Sequence, residues 1–194
     1  MTSALFFILR TLFDLYLLTF ALRLLMQWAR VDGWNPIAQF IQRVTNPLVI
    51  PLRRLLPAIG RIDTGTVVAL FGLQAIATTV LLKFGCAGDA GLLQILAVAG
   101  LSLVDLFLRI AFWTILIYVV LSWVSQGGGN PGARIVATLA RPLLQPFRRF
   151  IPPIAGVDLS PLFAAIVLQA LRLVLPVGQV LGGLGCGGIA NPAF

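Results

Sequence analysis

Four long apolar segments alternate along the chain with stretches in which polar and apolar residues are mixed. Each apolar segment approaches or exceeds the roughly 20 helical residues needed to cross the hydrocarbon core of a bilayer. The pattern therefore predicts an all-α membrane protein with four transmembrane helices. The apolar run before the third span already begins at Gly91, so residues 91–102 either extend a tilted span or form a separate interfacial helix. The predicted spans are at about residues 5–28, 64–84, 103–123 and 160–181.

Regularly spaced prolines follow the first and the third apolar segment. An amphipathic piece, Pro36–Val44 or Pro131–Leu139, is followed by a proline-rich segment, Pro47–Pro57 or Pro142–Pro152. A proline inside a helix lacks an N–H and crowds the carbonyl four residues earlier. We therefore expect broken or very short amphipathic helices at the membrane interface, between the two spans of each half.

The two halves of the chain are tandem copies of one helix–loop–helix unit. We predict a first repeat at residues 1–89 and a second at residues 90–194, which ends in a glycine-rich tail. Two spans per repeat give both copies the same orientation, so the pseudo-two-fold axis should follow the membrane normal. The matching positions, 95 residues apart, are Trp28 and Trp123, Asn35-Pro36 and Asn130-Pro131, Pro47 and Pro142, Pro51 and Pro146, Arg53-Arg54 and Arg148-Arg149, Asp63 and Asp158, and Gln74 and Gln169.

Composition and charge placement support a membrane location. Apolar residues make up 59% of the 194 positions and charged residues 10%, with a net charge of +8, whereas soluble domains carry about 25% charged residues. The arginines concentrate in the two proline-rich loops, which indicates cytoplasmic loops rather than nucleic-acid binding. We expect a multi-pass protein of the bacterial inner (plasma) membrane with both termini in the periplasm.

The loop motif resembles the repeat of the YggT (YlmG) family of small membrane proteins. It runs Asn46-Pro47-Leu48…Pro51-Leu52-Arg53-Arg54…Pro57 in the first repeat, and from Arg141-Pro142-Leu143 through Asp158-Leu159-Ser160-Pro161 in the second. The first repeat departs from the family's Asp-x-Ser-Pro step, with Asp63-Thr64-Gly65-Thr66 in its place. The resemblance covers nearly the whole chain. It implies an inner-membrane protein associated with osmotic or ionic stress and with envelope or division functions, while plastid relatives are linked to cytochrome complex assembly and nucleoid distribution.

The double arginines and their prolines are the candidate binding residues. Arg53, Arg54, Arg148 and Arg149, with Pro47, Pro51, Pro142 and Pro146 beside them, could bind anionic lipid headgroups or an acidic protein partner. The alternative is that they only fix the topology. Asp63 and Asp158 lie where the second helix of each repeat should start, near the positive end of its dipole.

Charged residues inside the predicted spans form a second candidate site. Arg10 and Asp14 correspond to Asp105 and Arg109 with the signs exchanged, so we expect Arg10 to face Asp105 and Asp14 to face Arg109. Because ionisable groups in hydrocarbon are costly, this cluster either holds the repeats together or forms an ion or proton path. Gln74 and Gln169 suit interhelical hydrogen bonds, and Arg23 could extend to the interface. Arg172 has no obvious partner.

Cofactor and catalytic chemistry are not expected. The chain contains neither histidine nor glutamate and shows no metal-ligand spacing and no phosphate-binding loop. Cys86 and Cys186 both follow a second span, so a periplasmic disulfide between them is chemically permitted; the alternative is that they are small apolar fillers.

Two functions therefore stand side by side. The first is a non-enzymatic assembly, scaffolding or envelope-homeostasis factor whose Pro/Arg segments bind anionic lipid or a membrane or division protein. The alternative is a small ion channel or transporter component in osmotic or K⁺ homeostasis, for which a homo-oligomer could line the pore. No nucleic-acid partner is expected.

Overall fold

The protein is all-helical throughout the part of the chain that its computed structural model describes, residues 2–55, 63–85, 91–124, 130–150, 158–177 and 180. Three helices occur in the same order in each repeat, and the described ranges contain no strand. This confirms the all-α prediction. The helices are α1 (Thr2–Trp28), α2 (Pro36–Leu55), α3 (Thr64–Gly85), α4 (Leu92–Val124), α5 (Pro131–Phe150) and α6 (Ser160–Val174).

Two of the four predicted spans are long and apolar enough to cross a membrane. These are α3, over Thr64–Lys83, and α4, over Leu92–Val124. Helix α1 is long but carries three charged residues, Arg10, Asp14 and Arg23, and α6 has 15 residues. The length and composition of the helices thus support membrane association, and four spans stay a prediction.

Helices α2 and α5 correct the expectation of broken helices at the prolines. Pro47 and Pro51 lie inside the continuous α2, and Pro142 and Pro146 lie inside the continuous α5. A spacing of four places both prolines of a pair on one face of the helix, so the carbonyls that lose their N–H partner lie on one side as well. In α2 that side is exposed, as Arg43, Pro47 and Pro51 all are. Water or lipid headgroups can therefore bind the freed carbonyls, and the helix continues.

Two helix ends also differ from the sequence prediction. Helix α4 is continuous from Leu92, so residues 92–102 belong to the same helix as the predicted third span. Helix α6 ends at Val174 instead of continuing to residue 181, because Leu175 precedes Pro176 and adopts an extended conformation. The residue before a proline is disfavoured in the helical region.

Helix α3 lies between α1 and α4, whereas α1 and α4 have little direct contact with each other. The largest buried cluster joins α1, α2, α3 and α4 around Phe20, Val49 and Leu70. A second cluster around Ile115 and Leu144 joins α4, α5 and α6. A third cluster joins α1 and α2 to α5 and so connects the two repeats; its buried members are Met26, Ala38, Ile41, Ile135 and Leu139.

Candidate functional site

An arginine–aspartate clamp joins α2 to α3 in the first repeat. Arg53, near the end of α2, donates from Nε to Asp63 Oδ2 at 2.8 Å and from Nη2 at 2.5 Å. The Thr66 hydroxyl donates to the same oxygen at 2.6 Å. Asp63 directly precedes α3, as the sequence predicted, and its side chain is 5% exposed. The carboxylate therefore fixes the amphipathic helix against the start of the apolar helix.

Arg23 of α1 is a buried member of the same network of polar contacts. Its side chain is 3% exposed, and its Nη2 lies 3.7 Å from Asp63 Oδ2. Nη1 donates to Thr45 Oγ1 at 2.5 Å and to Asn46 Oδ1 at 2.9 Å, and the Thr45 hydroxyl donates to the Ile41 carbonyl at 2.7 Å. Arg23 is therefore a buried link between α1, α2 and Asp63, and it reaches these partners inside the protein rather than extending into the solvent. The sequence shows an arginine inside an apolar helix, but it does not show which residues that arginine contacts.

Gly65 allows the first clamp to close over the start of α3. A Cβ atom at this position would lie 3.1 Å from Arg53 Cγ, 3.2 Å from the Arg53 backbone nitrogen and 3.3 Å from Asp63 Oδ1. The corresponding residue of the second repeat is Ser160. The departure from the Asp-x-Ser-Pro step thus places a glycine where a side chain would crowd Arg53 and Asp63.

The second repeat carries the same clamp at its surface. Arg148 donates from Nε to Asp158 Oδ2 at 2.9 Å, and the two side chains are 43% and 38% exposed. Asp158 Oδ1 accepts the backbone N–H of Ser160 at 2.9 Å. Tyr118, at the position that corresponds to Arg23, lies beside Arg148 and raises the pKa of its guanidinium. The clamp is therefore duplicated. Only in the first copy is the carboxylate buried and linked to a second arginine, while the Arg53 side chain is itself 49% exposed.

Both clamp carboxylates have a lowered pKa. Burial raises the pKa of Asp63, but the hydrogen bonds from Arg53 and Thr66 and the charges of Arg53 and Arg23 outweigh it, so the pKa lies below its usual 3.8. The pKa of Asp158 is lowered for similar reasons: burial raises it, and the backbone hydrogen bond from Ser160 together with the charge and hydrogen bond of Arg148 outweighs that effect. Both groups are ionised at neutral pH.

One arginine of each pair is thus held in an internal contact, and the other is not. Arg54 and Arg149 are exposed, and neither has a hydrogen bond or ion pair with any described residue. Their prolines share this surface: Pro47, Pro51 and Pro146 are exposed, and Pro142 is half-buried. Arg54 and Arg149 are therefore the members of the pairs that are available to a lipid or a partner protein.

The charged residues of the expected cluster in α1 and α4 each lie near an opposite charge four residues away in the same helix. Arg10 Nε lies 3.8 Å from Asp14 Oδ2, and Arg109 Nη2 lies 2.9 Å from Asp105 Oδ2. The expected contact of Arg10 with Asp105 is wrong, because Arg10 pairs with Asp14, and Asp105 pairs with Arg109 and Arg172. Asp14 and Arg109, the other expected pair, line one groove and attract each other electrostatically across it.

Asp105 instead joins α4 to α6. Arg172 donates from Nε to Asp105 Oδ1 at 2.8 Å and from Nη1 to Gln169 Oε1 at 2.9 Å. The sequence could not place Arg172, because its partner lies 67 residues away on another helix. The matching Gln74 has a different environment and lies 3.5 Å from Thr78 Oγ1 of its own helix.

Two other candidates have no structural account. Cys86 and Cys186 lie outside the described residues, so the disulfide stays a prediction. Over the same described part of the chain, no group of three or more metal-ligating side chains comes together.

Comparison with known proteins gives consistent matches along the chain. The sequence model of the family described as CCB3/YggT matches residues 2–84 and again residues 97–180. A Pseudomonas aeruginosa protein is 39% identical over 176 residues, which are 90% of this chain and 89% of that protein. YggT of Escherichia coli strain K12 is 37% identical over 187 residues, 94% and 95% of the two chains. The chloroplastic YlmG homolog protein 2 of Arabidopsis thaliana is 41% identical over 66 residues, 33% of this chain and 25% of that protein. No solved structure matches the chain.

Proposed function

The chain belongs to the CCB3/YggT family, and from this premise we propose that it is a non-enzymatic assembly or scaffolding factor of the bacterial inner membrane. Its apolar helices cross the bilayer, and its proline-containing helices α2 and α5 lie at the cytoplasmic interface. There the exposed arginines bind anionic lipid headgroups, and the same surface can present the protein to a membrane or division partner. The osmotic and envelope roles that the resemblance implies would follow from that location.

The duplicated clamp is the observation that carries this proposal. In each repeat an Arg–Asp contact fixes a strongly amphipathic helix to the start of the following apolar helix. The adjacent arginine, Arg54 or Arg149, is left exposed. An amphipathic helix with arginine on its polar face and exposed apolar residues such as Phe40, which is 62% exposed, is typical of a helix that lies in the headgroup layer. The clamp would hold that helix at a fixed depth.

Arg54→Gln combined with Arg149→Gln should weaken the preference for anionic lipid. Each basic residue near an anionic surface contributes about 1 kcal/mol, so the double variant should bind phosphatidylglycerol roughly 30-fold more weakly. The measurement is the thermal stability of the detergent-purified protein during titration with phosphatidylglycerol or phosphatidylcholine. Arg134→Gln is the matched control, because Arg134 is exposed on the opposite end of α5. An unchanged lipid preference in the double variant would contradict the proposal.

Ion conduction is the second candidate, and the exposed charges of α1 favour it. The side chains of Arg10 and Asp14 are 39% and 65% exposed on a helix that is otherwise mostly apolar. Charges at such positions are normally paired with another protein surface or line a hydrophilic path. A homo-oligomer could bring several copies of these charges together around one pore.

Flux measurements separate the two candidates. Liposomes that contain the purified protein should show no K⁺, Na⁺ or H⁺ flux above protein-free liposomes if the scaffold proposal is right. Flux that disappears in folded Arg10→Ala and Asp14→Ala variants would instead support conduction. Arg134→Ala again serves as the control, because it removes a charge far from α1 residues 10–14 in sequence and on another helix.

A further inference from the structure

We infer that one phospholipid with an anionic headgroup binds between the two repeats, with its phosphate among arginines of α5 and the end of α1 and an acyl chain along the groove between α1 and α4. This inference rests on the proposed membrane location of the protein. It goes beyond a general attraction to anionic membranes, because it assigns a single, specific lipid site.

The headgroup part of the site is a cleft of about 690 Å³ between the end of α1 and one face of α5. Four of its nine lining residues are arginines and none is acidic: Arg30, Arg141, Arg148 and Arg149. Arg148 is partly neutralised by Asp158, and the other three have no ion pair with a described residue. Like charges that converge on one cleft repel each other. A bound phosphate would remove that repulsion, and arginine suits phosphate because its guanidinium can donate two parallel hydrogen bonds.

Arg30, at the edge of the cleft, has an uncommon left-handed backbone conformation. Arg30 has a φ of 56°, which costs roughly 1–2 kcal/mol for a residue other than glycine. A Schellman motif holds it: the Val31 N–H donates to the Met26 carbonyl at 2.9 Å, and the Arg30 N–H donates to the Gln27 carbonyl at 3.2 Å. Glycine would satisfy this backbone with less strain, so the arginine at this position points to a function for its side chain.

The arginine set of the cleft occurs once in the sequence, although the repeat occurs twice. The positions that correspond to Arg30 and Arg141, 95 residues away in each direction, are Ser125 and Asn46. Asn46 also accepts a hydrogen bond from the buried Arg23. The first repeat therefore offers no second copy of the arginine set, and we expect one lipid for each chain.

The acyl-chain part of the site is a groove of about 570 Å³ whose lining is mostly apolar. Along α1 it runs from Thr11 to Met26, a distance of about 22 Å from the helical rise per residue. One leaflet contributes about 15 Å of hydrocarbon, so an acyl chain fits the groove lengthwise.

The groove and the cleft are neighbours at α1 and α5, although they have no lining residue in common. On α1 the groove reaches Met26 and the cleft begins at Trp28, while on α5 Leu139 lines the groove and Thr138 and Pro142 line the cleft. Tryptophan is enriched at the level of the headgroups. The combined shape is cationic at the interface and, apart from Asp14 and Arg109, mostly apolar below it. It is complementary to an anionic phospholipid and not to a soluble phosphate alone.

Arg30→Gln combined with Arg141→Gln should remove the bound lipid. We expect native mass spectrometry of the detergent-purified full chain to show saturable binding of one phosphatidylglycerol, and the double variant to bind it at least about tenfold more weakly. Arg43→Gln is the control, because it removes an exposed charge from α2 of the first repeat. Equal affinity in the wild type and the double variant would overturn the inference. If Arg54→Gln combined with Arg149→Gln still weakened the stabilisation by phosphatidylglycerol, the proposed function would stand without the single lipid site.

Val136→Trp tests the groove without changing any charge. Val136 is a half-buried residue that lines the groove, and a tryptophan there should obstruct the acyl chain and weaken phosphatidylglycerol binding at least tenfold. A circular dichroism spectrum and a melting temperature like those of the wild type establish that the variant is folded. If Val136→Trp does not fold, Val136→Phe is tested in its place. Inorganic phosphate at millimolar concentration should not displace the lipid from the wild type. Displacement by phosphate, together with unchanged lipid binding by the folded groove variant, would overturn the lipid assignment and leave a site for free phosphate.

Discussion

Asp63→Asn should lower the free energy of unfolding by about 3–5 kcal/mol, the usual cost of removing one partner from a buried ion pair. The substitution keeps the size of the side chain but removes the negative charge that faces Arg23 and Arg53. Arg23 is 3% exposed, so its charge would stay buried with only Thr45 and Asn46 as hydrogen-bond acceptors. The measurement is denaturant unfolding in detergent micelles, followed by tryptophan fluorescence.

Asp158→Asn is the matched control in the second repeat. It removes the corresponding carboxylate from a clamp whose two side chains are 43% and 38% exposed. Solvent screens such a pair, and the expected loss is at most about 1 kcal/mol. Equal losses in Asp63→Asn and Asp158→Asn would mean that burial of Arg23 does not distinguish the two clamps.

Low pH should reduce the difference in the free energy of unfolding between the wild type and Asp63→Asn. Because the pKa of Asp63 is lowered in the folded protein from 3.8, its contribution to stability is fully present above about pH 3.8. It is lost as the pH falls through the folded pKa, where the carboxylate becomes protonated. The asparagine variant lacks this contribution at every pH. The free energies of unfolding of the two proteins should therefore converge when the pH is below the folded-state pKa of Asp63.

The sequence predicted the elements of the fold better than the contacts between them. Apolar length and the 95-residue repeat located α1 to α6, since both signals are local or depend on identity alone. The prolines of α2 and α5 predict a break in each helix, because the sequence pattern alone does not show which face of the helix a proline occupies. In α2 the prolines lie on the exposed side, where a freed carbonyl can be solvated.

In the candidate site, too, the sequence predicts where residues lie along the helices better than it predicts their contacts. Asp63 and Asp158 were correctly placed at the starts of α3 and α6, because they directly precede an apolar run. Their contact with Arg53 and Arg148 depends on how the chain returns after the proline-rich segment, and no local pattern reports that path. The exchanged signs of Arg10 and Asp105 suggested a contact across the repeats, but each finds an opposite charge four residues away on its own helix. Such a pair needs no second helix.

Removing the charge of Asp105 should loosen the attachment of α6 to α4. The Asp105 carboxylate contacts Arg109 at 2.9 Å and Arg172 at 2.8 Å, and its side chain is 14% exposed. We expect Asp105→Asn to lower the free energy of unfolding by about 2–3 kcal/mol, somewhat less than for a fully buried pair. The loss should be visible in the same micelle unfolding experiment, since α4 and α6 pack closely.

A charge exchange tests which arginine is the partner across helices. Asp105→Arg alone should be strongly destabilising, because it would place a third positive charge beside Arg109 and Arg172. Adding Arg172→Asp should recover at least about 1 kcal/mol, as expected for residues in direct contact, although repulsion between the new arginine and Arg109 four residues away limits the recovery. Adding Arg10→Asp to Asp105→Arg should recover nothing, because Arg10 pairs with Asp14 in its own helix. Recovery with Arg10→Asp and not with Arg172→Asp would mean that the repeats meet through α1 and α4 after all, and that α6 is held by its apolar contacts alone.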